Sequence, residues 1–177
     1  MAHLLQIAQL GNPILRQEAK PITDYKSDEI QSLIDDMLAT VLESQGVGLA
    51  APQVYASYRL FIMASHPNSR YPYAPYMEPF ALINPEINKH SEETEKDWEG
   101  CLSVPGIRGL VPRYKKIQVR YITRDGLPTE KEFSDFLARI FQHEYDHING
   151  IAFIDRVENS KDLISEKEFQ RLLQKKN

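Results

Sequence analysis

His143-Glu144-Tyr145-Asp146-His147 decides how the rest of this chain is read. The pattern is H-E-x-x-H. On a helix, residues four apart lie about 40° apart around the axis and one turn apart along it, so both imidazoles can reach one metal ion. Glu144 projects beside them and can act as a base toward a water held at that ion. The residues just ahead, Phe136-Leu137-Ala138-Arg139-Ile140-Phe141, have the apolar content of a buried helix. With Ser134 as a cap and Gly150 as a terminator, the pattern predicts a helix over residues 134–148.

Two histidines do not complete a catalytic metal site, which takes three protein ligands and keeps one position for water. The longer form H-E-x-x-H-x-x-G-x-x-H needs a histidine where Phe153 stands, and is excluded. A glutamate from a following helix, Glu166 or Glu168, would make a metallopeptidase in which Cys101 is dispensable. His3, His66 and His90 stand in polar or terminal contexts and read as solvated side chains. The better third ligand is Cys101, within Trp98-Glu99-Gly100-Cys101-Leu102-Ser103-Val104-Pro105. Gly100 permits close backbone approach and Pro105 stiffens the segment, so a rigid turn can hold a thiolate against a metal. One thiolate and two imidazoles suit zinc or ferrous iron, and the residues do not choose between them. A purely structural metal site, the non-enzymatic alternative, takes four ligands and leaves Glu144 without a purpose.

A third segment is GVGLAAPQ at residues 46–53, small and apolar until Gln53. Its glycines let a backbone run beside a ligand, and the Gln53 amide offers two N–H donors to an oxyanion. Taken alone, it reads equally as a helix terminator followed by a tight turn.

The remaining sequence predicts an α+β fold in a single domain over residues 1–177, with mixed or antiparallel strands around the central motif helix. Ile30, Leu33, Ile34, Met37, Leu38, Val41 and Leu42 form one apolar stripe, which predicts an amphipathic helix over 27–44 capped by Ser27. Residues 59–64, 80–83 and 116–122 read as strands, and Asp125-Gly126 as the turn of a hairpin. Residues 165–175 read as a short charged helix. Residues 65–79 hold four prolines and three tyrosines and form a long loop, either functional or mobile. A net charge of −4 argues against general nucleic-acid binding. No apolar run is long enough to span a bilayer, and the first residues lack a signal or transit pattern, so the cytoplasm is the expected compartment. A single cysteine excludes an intrachain disulfide.

Together, G-x-G-L-A-A-x-Q at 46–53, E-G-C-L-S at 99–103 and Q-H-E-x-D-H at 142–147 resemble the peptide deformylases in content and order. The resemblance runs from Leu15-Arg16 through Asn84-Pro85 and Pro112-Arg113 to Asn149-Gly150, nearly the whole chain. It implies removal of the N-formyl group from formyl-methionyl nascent peptides, with release of formate. It further implies one divalent ion on Cys101, His143 and His147, commonly Fe2+ with Zn2+, Ni2+ or Co2+ able to replace it. Glu144 would be base and then acid, with Gln53 and the Leu102 N–H as oxyanion donors. The backbone at Val47, Gly48 and Gly100 would pair with substrate as an added strand, and Val47, Phe136, Ile140 and His143 would line the methionine pocket. In this family the terminal segment can place the enzyme near the ribosome exit; here it also reads as a solvated helix. The chain departs from some members at Arg139, where they carry an apolar residue, which points to the pocket rim or solvent. Trp98 is expected as an aromatic wall near the entrance.

Overall fold

A computed structural model describes residues 2–175. Helix α1 (Asp28–Glu43) forms where the apolar stripe predicts it, with the Ser27 side chain accepting the Ile30 N–H at its start. Strands β1 (Gly48–Ala50), β2 (Leu60–Met63) and β3 (Phe80–His90) follow. Then come β4 (Thr94–Cys101), β5 (Val104–Tyr114), β6 (Lys116–Ile122) and β7 (Pro128–Ser134). Helix α2 (Asp135–Ile148) carries the H-E-x-x-H pattern, and β8 (Leu163–Ser165) leads into α3 (Glu166–Gln174). The architecture is α+β, with two antiparallel sheets ordered β1-β2-β3-β6-β7 and β4-β5-β8.

The five-stranded sheet has a helix on each face. Leu60 and Ile62 of β2 pack with Ile34, Met37 and Val41 of α1. Phe61 and Met63, pointing the other way, pack with Ala138, Ile140 and Phe141 of α2. Successive strand residues face opposite sides, so a strand covered on both faces is apolar throughout, as residues 60–63 are. Helix α2 also packs on β5, which places it between the two sheets. Gly150, two residues past its end, turns the chain away with a left-handed φ of +73°, and a Cβ there would lie 2.8 Å from the Arg16 carbonyl group.

The hairpin of β4 and β5 was not expected from the sequence, which read residues 98–105 only as a rigid turn. The reason is physical. The first half of β4 is exposed on both faces and therefore shows no apolar alternation. Strand β5 contains Pro105, Gly106, Gly109 and Pro112, residues that ordinarily mark turns. The predicted strand at 80–83 also continues to His90, past a bulge between Ile83 and Glu86.

Candidate metal centre

Cys101 is the last residue of β4, where the pairing with β5 shifts register after Gly100. That bulge turns the thiol toward α2. His143 and His147, one turn apart on α2, come to meet it. Ligand atoms of Cys101, His143 and His147 all lie within 4.8 Å of one another, and the three residues are the metal-ligand cluster among the described residues. Cys101 Sγ lies 3.2 Å from His147 Nε2. Burial opposes a charged thiol, but His147 and His143 beside it hold the Cys101 pKa well below its ordinary value. A thiolate is the form a metal requires. The buried Glu144 Oε2 and His147 Nδ1 have no hydrogen-bond partner. Buried polar atoms are rarely left so, and a water carried by an ion at the cluster would give the Glu144 carboxyl a partner. The donor set therefore fits one divalent ion.

Glu144 lies against this cluster. Burial, with the charges of Cys101 and Glu99 adding to it, raises its pKa to about 7 against the pull of the two histidines. Its carboxylate is pressed on the backbone of Gly48. A Cβ at that position would overlap Oε1 and come within 2.8 Å of Cδ and 2.9 Å of Cγ. Gly48→Ala is thus expected to displace Glu144 and, by moving this candidate base out of place, to lower kcat about a hundredfold. Steady-state kinetics together with metal content checks this, since the metal should be retained.

Gln53 sits in the short 3-10 turn after β1 and is buried. Its Oε1 accepts the Ala50 N–H at 2.8 Å, so the amide nitrogen must face the other way. That nitrogen lies 3.4 Å from Cys101 Sγ and 3.1 Å from Ser103 Oγ. Gln53, Val47, Gly48, Gly100, Leu102, Phe136, Ile140, His143 and Glu144 line one cleft of about 480 Å³, open to solvent. Trp98 forms part of its wall, packed on Phe169 of α3 with ring centroids 5.9 Å apart.

Sequence reasoning missed the residues that hold this centre in place. Glu99 accepts from Arg113 Nε at 2.8 Å and Arg139 Nη1 at 2.9 Å on one oxygen. On the other it accepts from Arg113 Nη2 at 3.0 Å and pairs with His143 Nδ1 at 2.9 Å. Such a carboxylate fixes the tautomer and the orientation of a ligating imidazole. Arg139, read from the sequence as a rim or solvent residue, is only 6% exposed. Asp146, inside the H-E-x-x-H pattern, is held by Arg113 at 2.7 Å and Arg156 at 2.7 Å. Glu166, the alternative third ligand, instead binds Arg108 Nε at 2.7 Å, and Glu168 pairs with Arg171. His3, His66 and His90 stand outside the cluster. His90 is exposed and stacks on Tyr114 with ring centroids 3.8 Å apart.

The loop at 65–79 also reaches the cleft. The Gly100 N–H donates to the Tyr71 hydroxyl at 3.3 Å, and that hydroxyl donates to the Gly100 carbonyl at 3.4 Å. The Tyr71 ring packs on Phe136 with centroids 5.5 Å apart. Three tyrosines in a proline-rich loop were the only sequence signal for this contact.

The family model described as polypeptide deformylase matches residues 4–163. Peptide deformylase 2 of Nostoc sp. is 58% identical, over 97% of this chain and 96% of that protein. Peptide deformylase 2 of Shewanella oneidensis is 48% identical, over 86% of this chain and 83% of its own length. Among solved structures, the Met-Ala-Ser-bound class I type b peptide deformylase from Acinetobacter baumannii matches with a TM-score of 0.86 and 47% identity. That match covers 89% of this chain and 100% of the other. The peptide deformylase from Thermotoga maritima matches with a TM-score of 0.79 and 41% identity, over 89% and 99% of the two chains.

Proposed function

This chain belongs to the polypeptide deformylase family, metal-dependent hydrolases that remove the N-formyl group from nascent polypeptides, and from that premise we propose how its residues divide the reaction. Residues 1–177 act as one catalytic domain. Cys101, His143 and His147 hold one divalent ion, natively Fe2+, with Zn2+, Ni2+ or Co2+ able to replace it. A bound ion of this kind acidifies water and polarises a carbonyl oxygen. Glu144 takes the proton from the attacking water and returns it to the amine that leaves. A pKa of about 7 suits a group that must both accept and donate near neutral pH. Water and the formyl amide are consumed; formate and the free amino terminus are produced.

The Gln53 amide and the Leu102 N–H stabilise the oxyanion as the carbon becomes tetrahedral. The fixed orientation of the Gln53 amide, its oxygen held by Ala50, supports this role. Gln53→Ala is expected to lower kcat about a hundredfold with metal retained, the usual loss for one such donor. An unchanged kcat would remove Gln53 from the mechanism. Val47, Gly48 and Gly100 pair with the peptide backbone, and Val47, Phe136, Ile140 and His143 receive the methionine side chain.

The observation that carries this reading is the Cys101–His143–His147 cluster beside the buried Glu144 carboxyl, whose Oε2 has no partner in the protein. Its test is formate release from formyl-Met-Ala-Ser by protein purified without oxygen, with metal measured on the same sample. Turnover at about one metal per chain is expected; full metal occupancy without turnover would overturn the assignment. Iron next to a thiolate is open to oxidation by oxygen or peroxide. Activity should therefore decay faster in air for the iron form than for the zinc or nickel forms, and equal lifetimes would count against iron.

We place the enzyme in the cytoplasm near the ribosome exit, where formylated chains emerge. Lys175 contributes charge to the terminal segment, whereas Lys176 lies outside the described residues. Co-sedimentation with ribosomes, lost on removing α3, tests this placement.

A further inference from the structure

Helix α2 and strand β4 meet in a series of rungs. His147 touches Cys101, with Nε2 3.2 Å from Sγ. One turn earlier, His143 Nδ1 pairs with Glu99 Oε2 at 2.9 Å. One turn earlier again, Arg139 reaches the same strand. Its Nη2 donates to the Glu95 carbonyl at 2.7 Å, and its Nη1 to Glu99 Oε1 at 2.9 Å and to the Val111 carbonyl of β5 at 2.8 Å. The Asp97 carbonyl lies 3.5 Å from Nη1.

The spacings explain why such a series can form. Four helical residues advance about 6 Å, and two strand residues about 6.7 Å. Helix positions 139, 143 and 147 therefore stay in step with strand positions 97, 99 and 101. The three metal ligands come from these two elements, two from α2 and one from β4. A slip of α2 by one turn would carry each histidine about 5.4 Å from the thiol. Packing alone resists such a slip weakly, because apolar side chains tolerate neighbours of similar size. A buried guanidinium is more demanding. Arg139 has a side chain only 7% exposed and is accommodated only where its acceptors on β4 and β5 all coincide. Fixing register is the best-attested use of a buried charge.

We propose that Arg139 is a positioning residue for the metal centre, holding α2 in register on β4 so that His143 and His147 meet Cys101. The proposal rests on the ligand assignment above. Arg139 makes no hydrogen bond to a ligand atom; it acts through Glu99 and the strand backbone.

The test compares wild type, Arg139→Leu and Arg139→Lys, each loaded with zinc or cobalt and checked for folding by circular dichroism. Arg139→Leu keeps an apolar stem but leaves Glu95, Val111 and Glu99 each without one donor. It is expected to release zinc to a chelator about tenfold faster than wild type, the scale of loss when an outer partner of a ligand is removed. The thiolate-to-cobalt absorption band should weaken or shift. Arg139→Lys, which restores a single point charge, should fall between the two. A folded Arg139→Leu protein with wild-type zinc release and an unchanged cobalt band would overturn the proposal, even if its melting temperature were lower. If Arg139→Leu does not fold, Arg139→Lys decides: faster release supports the proposal and unchanged release overturns it. Wild-type protein that binds no metal overturns the ligand assignment and this proposal together; unchanged release by the variants overturns this proposal alone.

Discussion

Glu144→Ala is expected to keep its metal and lose about a thousandfold in kcat on formyl-Met-Ala-Ser, the middle of the range for a general base. The two parts of this result separate because Glu144 is not one of the three clustered ligands. Its Oε2 accepts no hydrogen bond from the protein, so removing the carboxyl breaks no protein hydrogen bond made by that atom. The change also relieves the cost of burying a charge, which raises the Glu144 pKa to about 7. The variant should therefore be at least as stable as wild type, and melting measured beside turnover would show loss of rate without loss of fold. Glu144→Asp retracts the carboxylate by one methylene and should also be severely impaired. A Glu144→Ala enzyme with normal turnover would remove the proposed base.

The second large effect is expected at Glu99. Glu99→Gln keeps the shape but removes the charge that Arg113, Arg139 and His143 all face. Breaking a buried ion pair from one side costs about 3–5 kcal/mol, because the remaining charge stays buried. For a chain of this length that lowers the melting temperature on the order of 10 °C. The metal should also bind more weakly, since His143 loses the carboxylate that orients it. The same residue gives the fold an acid-sensitive limb. Although burial favours the neutral acid, Arg113 and the hydrogen bond from His143 hold the Glu99 pKa well below the usual carboxylate range. The folded state then binds fewer protons than the unfolded state in acid. The stabilisation is complete above the unfolded value of 4.5 and is lost as pH falls toward the folded one. Melting temperature should drop below about pH 4.5 in wild type and change less steeply in Glu99→Gln. Parallel curves for the two proteins would show that Glu99 is not the titrating group.

How much of this was legible in the sequence depends on how each feature is encoded. Helix α1 announces itself because its apolar stripe has the helical period, and α2 because its histidines share that period. Cys101 and Gln53 were found because local glycines and a proline restrict the backbone around them. The network behind the centre leaves no such mark. Glu99, Arg113, Arg139 and Asp146 lie on three elements, β4, β5 and α2, and come together only when the hairpin folds over the helix. Glu99, Asp146 and Arg113 stand in the segments that carry the family resemblance but with no role attached, and the further clue was Arg139 itself, a charge interrupting the apolar run FLARIF. It reads as solvated because an unpaired buried cation would be too costly, and its partner lies 40 residues away.

The Tyr71 hydroxyl already occupies both backbone groups of Gly100. A peptide that aligns there trades hydrogen bonds instead of adding them, and an exchange of like for like contributes little net free energy. On the proposed reading, recognition then falls to the first side chain, entering between Val47, Phe136 and Ile140. An enzyme working in this way would grip the beginning of a chain and stay largely indifferent to the residues behind it, which suits a catalyst that must act once on many different proteins and let each one go.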